Sequence, residues 1–249
     1  RLALVDSVER AITQRTKLLL ISHVSAWSGE VLPVKEVTAV ARRHGVAVLV
    51  DAAQSVGILD VNFNDMGVDF LGTSLHKWLA APIGTGALIM RPEHIGKVWP
   101  LHPPSWDTTE HPMDLYEWMG TFDAAAYNSI GYALDFQSRL GFARKQARLK
   151  YLGSYWRDKL ARMDRIQILT PDVPDRSFGV AAFAIEGMPS EKVAKHLRDK
   201  GGIIVQNKAG RHSPFQNAIR VSPGVYATTR ELDRFVTAVK GVVNSGLGA

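Results

Sequence analysis

The sequence VAVLVDAAQ occupies residues 46–54, and the sequence SLHKW occupies residues 74–78. The first is an apolar run of strand length that leads into an acid, Asp51. The second follows another short apolar run, residues 69–74, and contains Lys77. Ligands of open α/β sheets bind beyond the carboxyl ends of the strands. We therefore expect Asp51 and Lys77 to meet over one pocket.

The residues around these motifs alternate between short apolar runs and helical patterns. A helix is predicted over residues 33–44, where Pro33 takes an allowed N-terminal position and apolar residues recur at helical spacing. Continuous apolar strands separated by helices are typical of an α/β fold with a mostly parallel sheet. The predicted strands are residues 17–22, 46–50, 69–74 and 86–90.

The chain is predicted to divide into three segments. Residues 1–140 are expected to form part of a large domain that contains the parallel sheet. Residues 141–172 are interpreted as a connecting helical region, because apolar residues form a stripe at helical spacing. Residues 173–249 are interpreted as a small α+β C-terminal domain. Its predicted elements are strands over residues 180–185, 203–205 and 218–221, and helices capped by Ser190 and Thr229.

Composition excludes several classes of protein. The 249 residues carry a net charge of +6 and no cysteine, which removes disulfides and cysteine-ligated metals. Eight basic and two acidic residues lie within residues 144–165, where an apolar stripe favours a solvated helix face over a nucleic-acid surface. The longest apolar runs are far below the ~20 residues of a membrane span. We therefore predict no nucleic-acid partner, no membrane and a cytoplasmic location.

The surroundings of Lys77 suggest a reactive amine. Leu75, Trp78 and Leu79 flank it, so we expect its aliphatic stem to be buried. Burial lowers the pKa of a lysine and leaves a nucleophilic amine, as Schiff-base chemistry requires. A solvated loop lysine is the alternative interpretation of this residue alone.

Together these motifs resemble the core of class V aminotransferase-fold enzymes that use pyridoxal 5′-phosphate (PLP). The whole pattern is most similar to the isopenicillin N epimerase-like branch. The resemblance implies PLP-dependent transferase fold type I, with a large domain that is incomplete at its N-terminus, since the family's chains are longer. The segments that carry it are VDAAQSVG at residues 50–57, DF at 69–70, SLHK at 74–77 and PIGTGAL at 82–88.

The resemblance implies roles for individual residues around the cofactor. Lys77 would form the Schiff base with PLP and later move protons at Cα. Asp51 would pair with the protonated pyridine nitrogen, which keeps the ring an electron sink. Gln54 would bind the phenolic oxygen of the ring. The phosphate would be held by Ser74 and His76, and Ser25 falls where the family has a polar segment over the cofactor.

Further implied roles concern the substrate and a second subunit. Arg220 would clamp the substrate carboxylate, since a guanidinium meets a carboxylate in a two-pronged fork. Arg211 is a second candidate substrate contact. Thr121 would reach the cofactor of a partner subunit, which predicts a homodimer. Histidines 94, 102 and 111 lack the spacing of a metal site, so no metal is predicted.

The family also includes cysteine desulfurases, which need a catalytic cysteine in a loop before the carboxylate-binding arginine. The matching stretch, residues 207–213, has none, so we predict that this chain is not a cysteine desulfurase. The expected activity is chemistry at Cα or Cβ of an amino acid, of the epimerase or C–S lyase type. The alternatives are transfer of an amino group to a 2-oxo acid, or a truncated, non-catalytic PLP-fold protein that acts as a binding module.

Overall fold

A computed structural model describes residues 2–210 and 213–247 of the chain. It separates the chain into two compact units. The first unit comprises residues 1–23, 33–57 and 61–139, and the second comprises residues 24–32, 58–60 and 140–249. The three predicted segments remain a prediction about the domains of the protein.

The first unit is built on a four-stranded sheet. The sheet order is β1-β2-β3-β4, in which β1, β2 and β3 run parallel and β4 returns antiparallel to β3. The predicted α/β fold with a mostly parallel sheet is therefore confirmed. Its elements are α1 (Leu2–Ala11), β1 (Leu18–Ser22), α2 (Val34–Arg43), β2 (Ala47–Asp51), α3 (Phe63–Met66), β3 (Phe70–Ser74), β4 (Gly86–Met90), a 3₁₀ turn (Pro92–His94), α4 (Asp114–Glu117), α5 (Ala124–Asn128) and α6 (Ile130–Leu140).

Alternation along β2 explains how this sheet presents its polar residues. Val48 and Val50 are almost fully buried on the face that α2 covers. Successive strand residues point to opposite faces, so Asp51 lies on the other face. Asp51 pairs with Gly72 of β3, and Ser74 follows two residues later on the same face as Gly72. The carboxyl ends of two parallel strands thus bring an acid and a hydroxyl to one side of the sheet.

The second unit has its own sheet, with strand order β5-β6-β8-β7 and antiparallel pairing throughout. Helix α7 buries the predicted stripe of Leu149, Leu152, Trp156 and Leu160 completely. Trp156 packs edge-on against Phe183 and Phe235, with ring centroids 5.9 and 5.7 Å away. The elements are α7 (Phe142–Leu160), β5 (Ile166–Ile168), β6 (Ala181–Ile185), α8 (Ser190–Gly201), β7 (Gln206–Asn207), β8 (Ile219–Val221) and α9 (Thr229–Ser245).

Three predicted details of the second unit are wrong. Ser190 is the first residue of α8, and its hydroxyl donates to Asn207 instead of capping the helix. The strand predicted over residues 203–205 begins three residues later, as β7 at Gln206, because the N–H groups of Gly202 and Ile203 still hydrogen-bond back to α8. Helix α9 is capped by Thr228, whose hydroxyl accepts from the Glu231 N–H in a capping box.

Candidate functional site

Asp51 ends β2 and is exposed at the carboxyl end of the parallel strands. Its Oδ1 accepts from the backbone N–H of Ala53 at 2.9 Å, which fixes the carboxylate at the start of the following turn. Ala52 is tied to the neighbouring strand, since its N–H donates to the Gly72 oxygen at 2.8 Å. Asp51 therefore lies at the start of a turn that two hydrogen bonds hold in place.

Gly72 lies between Asp51 and Ser74 on this face of the sheet and leaves room for a ligand. A methyl group at Gly72 would meet no atom within 4 Å. A flat ring could therefore lie across the sheet there, with a carboxylate at one side and a hydroxyl at the other. These groups suit PLP, which has a phosphate group and a ring nitrogen that binds a proton.

The turn after β3 carries His76 and Lys77. His76 Nδ1 lies 3.0 Å from the Thr85 oxygen. A carbonyl only accepts, so Nδ1 carries the proton and Nε2 is the outward nitrogen. The same oxygen accepts from the Leu75 N–H at 3.0 Å, which closes the turn against β4.

Lys77 is exposed, so the predicted burial of its stem is wrong. Leu75 and Leu79, on either side of it, turn into a small core cluster that also contains Ala81 and Ala133. Lys77 lies between these two leucines in the sequence, and its side chain is on the solvent side of the turn. Its amine is open to a ligand on this unit.

Gln54 is nearly buried, at 9% exposed. Its Oε1 accepts a hydrogen bond from the indole N–H of Trp78 at 2.8 Å. Gly57 closes the same turn: a methyl group there would come within 2.7 Å of the backbone of Trp78 and Leu79. Sequence reasoning used Trp78 only as an apolar neighbour of Lys77 and missed this bond, because a hydrogen bond between residues 24 positions apart leaves no local pattern.

His23 follows β1. Its backbone N–H donates to the backbone carbonyl oxygen of Asp51 at 2.9 Å, which places the two residues side by side. Burial lowers the pKa of His23 to about 4. Its Nδ1 is buried without a hydrogen-bond partner in the described part of the chain. His23 is therefore a neutral imidazole at neutral pH.

Arg220 belongs to β8 in the second unit, where its Nη1 donates to the Ala26 oxygen at 2.9 Å. Its Nε is buried and has no hydrogen-bond partner among residues 2–210 and 213–247. Burial lowers the pKa of this guanidinium from its usual value. The side chain is thus anchored on one side and keeps an unsatisfied donor, which suits the capture of a carboxylate.

The remaining predicted site residues are dispersed. Ser25 lies in the second unit, and its hydroxyl oxygen accepts from the N–H groups of Trp27 and Ser28 at 3.2 Å each. Thr121 is exposed in a bend, and Asp123 caps the helix that follows. Arg211 lies outside the described residues. The roles of all three remain predictions.

The basic stretch of residues 144–165 is largely exposed, as predicted for a solvated helix face, with two exceptions. Lys145 and Arg157 are buried, at 4% and 9% exposed. Arg157 donates to the Gly153 oxygen and to Ser177, and burial lowers its pKa. These two positive charges therefore lie in the interior of the second unit, while the other basic side chains of the stretch are exposed or half-buried.

The described residues contain neither a metal-binding cluster nor a membrane-spanning helix. Within the described residues, no three His, Asp or Glu side chains come together as a metal-binding group. Over the same residues, every helix is too short or too polar to cross a bilayer.

Comparison with known proteins identifies the family. The family model for aminotransferase class-V matches residues 1–235, almost the whole chain. The chain belongs to the aminotransferase class-V family. This membership confirms the predicted resemblance, and it confirms PLP as the cofactor expected for the family. The assignment of residues to that cofactor remains a prediction.

Relatives in this class V family carry more than one name. The chain is 30% identical over 245 residues to isopenicillin N epimerase from Streptomyces clavuligerus, with 92% of the chain and 61% of that protein covered. It is 30% identical over 224 residues to a probable cysteine desulfurase from Halalkalibacterium halodurans, with 84% of the chain and 52% of that protein covered. The chain thus spans a little over half the length of these relatives.

A solved structure gives the same fold. The apo cysteine desulfurase from Thermococcus onnurineus NA1 superposes with a TM-score of 0.81 at 26% identity, over 96% of this chain and 62% of that one. Fold type I is therefore confirmed for this class V chain.

The prediction that the chain is not a cysteine desulfurase is wrong. Relatives named probable cysteine desulfurase match this class V chain about as closely as the epimerase does. The prediction rested on the absence of cysteine from residues 207–213, and one loop without cysteine is no ground for excluding an activity that several relatives are named for.

Proposed function

We propose that this class V chain is part of a PLP-dependent enzyme that acts at Cα or Cβ of an amino-acid substrate, with epimerase or C–S lyase chemistry. The observation that carries the proposal is the open position over Gly72, with Asp51 and Ser74 on the same face of the sheet. The turn that contains His76 and Lys77 follows directly after Ser74. Relatives of both the epimerase and the desulfurase type support this reaction class.

PLP, when bound, supplies an electron sink for the bonds at Cα. Lys77 would provide the amine that attaches the cofactor, and once the substrate amine displaces it, its Nζ would take or return a proton at Cα. The Asp51 carboxylate would hold the proton on the ring nitrogen, because an adjacent negative charge stabilises the protonated form. Ser74 and the outward Nε2 of His76 would hold the phosphate. Gln54 would donate to the phenolic oxygen.

Arg220 is proposed to bind the carboxylate of the substrate. Its buried Nε lacks a partner in the described part of the chain, and a carboxylate would satisfy it. The hydrogen bond from Nη1 to the Ala26 oxygen holds the guanidinium plane while this happens. Ser25 and Arg211 are proposed as further contacts to cofactor and substrate, as the resemblance implies.

The test is the visible absorption of the purified chain titrated with PLP. We expect a saturable band in the wild-type chain that is absent in Lys77→Ala. Lys97→Ala, which removes another exposed lysine of the first unit, is the matched control and should keep the band. A wild-type chain that develops no band would contradict the proposed PLP-dependent activity and would favour a non-catalytic binding module.

The reaction type is read from a second assay. The PLP-loaded chain is incubated with a panel of amino acids, with and without 2-oxo acids, and assayed for inverted product, released sulfur and new amino acid. Inversion or C–S cleavage supports the proposal. Amino transfer would favour the aminotransferase alternative, which the family name itself suggests.

We also propose that the active form is a homodimer in which Thr121 reaches the partner's cofactor. Exposed apolar side chains surround Thr121 in sequence, and such a patch on a water-exposed surface is typical of an interface. Sedimentation at rising concentration should detect the dimer, and Phe122→Asp should weaken it. The exposed side chains are Trp118, Met119 and Phe122.

A further inference from the structure

Trp78 follows Lys77 directly and contacts the other half of the motif. Its Nε1 lies 2.8 Å from Oε1 of Gln54. An indole N–H can only donate, so the atom of Gln54 that faces it must be the oxygen. The contact therefore assigns the oxygen and the nitrogen of the Gln54 amide, with Nε2 directed away from the indole.

The orientation of this amide has a chemical consequence. With its oxygen turned toward Trp78, Gln54 presents the two N–H donors of Nε2 at its other end. We propose that Trp78 is a positioning residue that holds the Gln54 amide so that Nε2 donates to the phenolic oxygen of PLP. The inference rests on the proposed function, because it concerns the same cofactor.

Several contacts make Trp78 a firm support. Gly57 packs so closely on the backbone of Trp78 that a methyl group there would lie 2.7 Å from its carbonyl carbon. The turn that holds Gln54 is also tied to β3, since Thr73 Oγ1 donates to the Ala52 oxygen at 3.3 Å. The hydrogen bond from the indole N–H to Gln54 therefore joins two turns that other contacts also hold.

The expected effect follows from the loss of one hydrogen bond. Trp78→Phe keeps an aromatic ring but loses the N–H, which frees the Gln54 amide to rotate. The dissociation constant for PLP should rise about threefold to tenfold. The pH midpoint of the visible absorption of bound PLP should rise as well. A hydrogen-bond donor to the phenolic oxygen stabilises the ionised form of that oxygen, which makes the proton next to it easier to remove. When the donor is lost, the proton stays bound up to a higher pH, and the pH midpoint of the absorption rises.

The experiment is a double-mutant cycle on the full chain, read by PLP titration and by the pH midpoint of its absorption. The variants are Trp78→Phe, Gln54→Leu and the pair, with Trp99→Phe as a control at an exposed tryptophan. If Trp78 acts through Gln54, Trp78→Phe should change neither readout in the Gln54→Leu background. Trp99→Phe should match the wild type.

A further variant guards against a merely structural effect. Gln54→Glu keeps an oxygen for Trp78 but, when ionised, has no donor, so it should weaken PLP binding; its thermal stability without PLP measures how much of that loss is structural. Additive effects of the two substitutions would overturn the inference, and so would a Trp78→Phe chain that binds PLP like the wild type. In both cases wild-type binding of PLP would leave the proposed function standing. A wild-type chain without PLP binding would overturn the proposed function and, with it, this inference.

Discussion

Gly57 is the residue at which the backbone of the candidate site is packed most tightly. Its φ is +88°, and an added methyl group would lie 2.7 Å from Leu79 N and from the carbonyl carbon of Trp78. Gly57→Ala should therefore lower the free energy of unfolding by about 2 kcal/mol or more, through backbone strain and displacement of the turn that carries Lys77. Chemical denaturation of the two proteins measures the difference.

Gly84 is a matched control for this change. Its φ is +89°, but a methyl group there would meet nothing within 4 Å. Gly84→Ala should cost only the backbone strain, about 1 kcal/mol. Equal losses for the two substitutions would show that the close approach at Gly57 contributes nothing.

His23 should make stability depend on pH. Its pKa is lowered to about 4 in the folded chain by burial, against an ordinary value near 6.5. The unfolded chain therefore binds more protons between these two values, so stability is retained above about pH 6.5 and lost as the pH falls toward 4. Between pH 7 and pH 5 the free energy of unfolding should drop by about 2 kcal/mol from this group. Urea unfolding at both pH values measures it.

The same experiment on His23→Asn should show a smaller drop over that interval. His102→Asn, at an exposed histidine, separates the loss of this histidine from the loss of any histidine. An unchanged pH dependence in His23→Asn would contradict the assignment to His23.

Single residues also mark the limit of what the sequence could predict. Asp51 was predictable at a strand end, because an apolar run that stops on an acid has a local signature. The exposure of Lys77 was not, because the side of a turn that faces the core depends on where Leu75 and Leu79 pack. The bond between Trp78 and Gln54 was equally out of reach, since it depends on the spacing of two parallel strands.

At the scale of elements, the sequence-based prediction and the structure differ in the residue that caps α9. The sequence favoured Thr229, but the structure gives the capping box to Thr228 and Glu231. Thr228→Ala should cost about 1 kcal/mol, since it removes the acceptor for the Glu231 N–H. Thr229→Ala, one residue into the helix, should be nearly neutral. Thermal unfolding of both variants decides the cap, and a larger loss in Thr229→Ala would contradict the structure.

Element types were more predictable than their ends. Strands β3 and β4 fall within the predicted runs, because continuous apolar residues bounded by polar turns are a strong strand signal. The short β7 was displaced, because it consists of two polar residues, Gln206 and Asn207, that pair only through tertiary contact with β8. Strand β1 is almost continuously apolar and yet partly exposed, and the sequence does not show that it lies at the edge of the described sheet.

At the scale of the whole molecule, one sheet face of the first unit stands out as apolar and exposed. Leu18 and Leu20 of β1 are 50% and 67% exposed, and Leu88 of β4 is 48% exposed on the same face. An exposed apolar edge strand is a template for aggregation. Leu20→Lys should therefore raise severalfold the protein concentration at which light scattering begins. Leu2→Lys, at an exposed leucine of α1, should leave this concentration unchanged, and an equal effect of both would contradict a role for the strand edge.

The turn after β3 has one more consequence, which concerns its firmness before any ligand binds. Two donors, the Leu75 N–H and Nδ1 of His76, share the Thr85 carbonyl oxygen at 3.0 Å each. His76→Ala removes the second of them, so it should lower the free energy of unfolding by about 1 kcal/mol in the absence of PLP. Chemical denaturation of the two proteins without cofactor measures this difference, and an unchanged stability would show that the Leu75 N–H alone closes the turn.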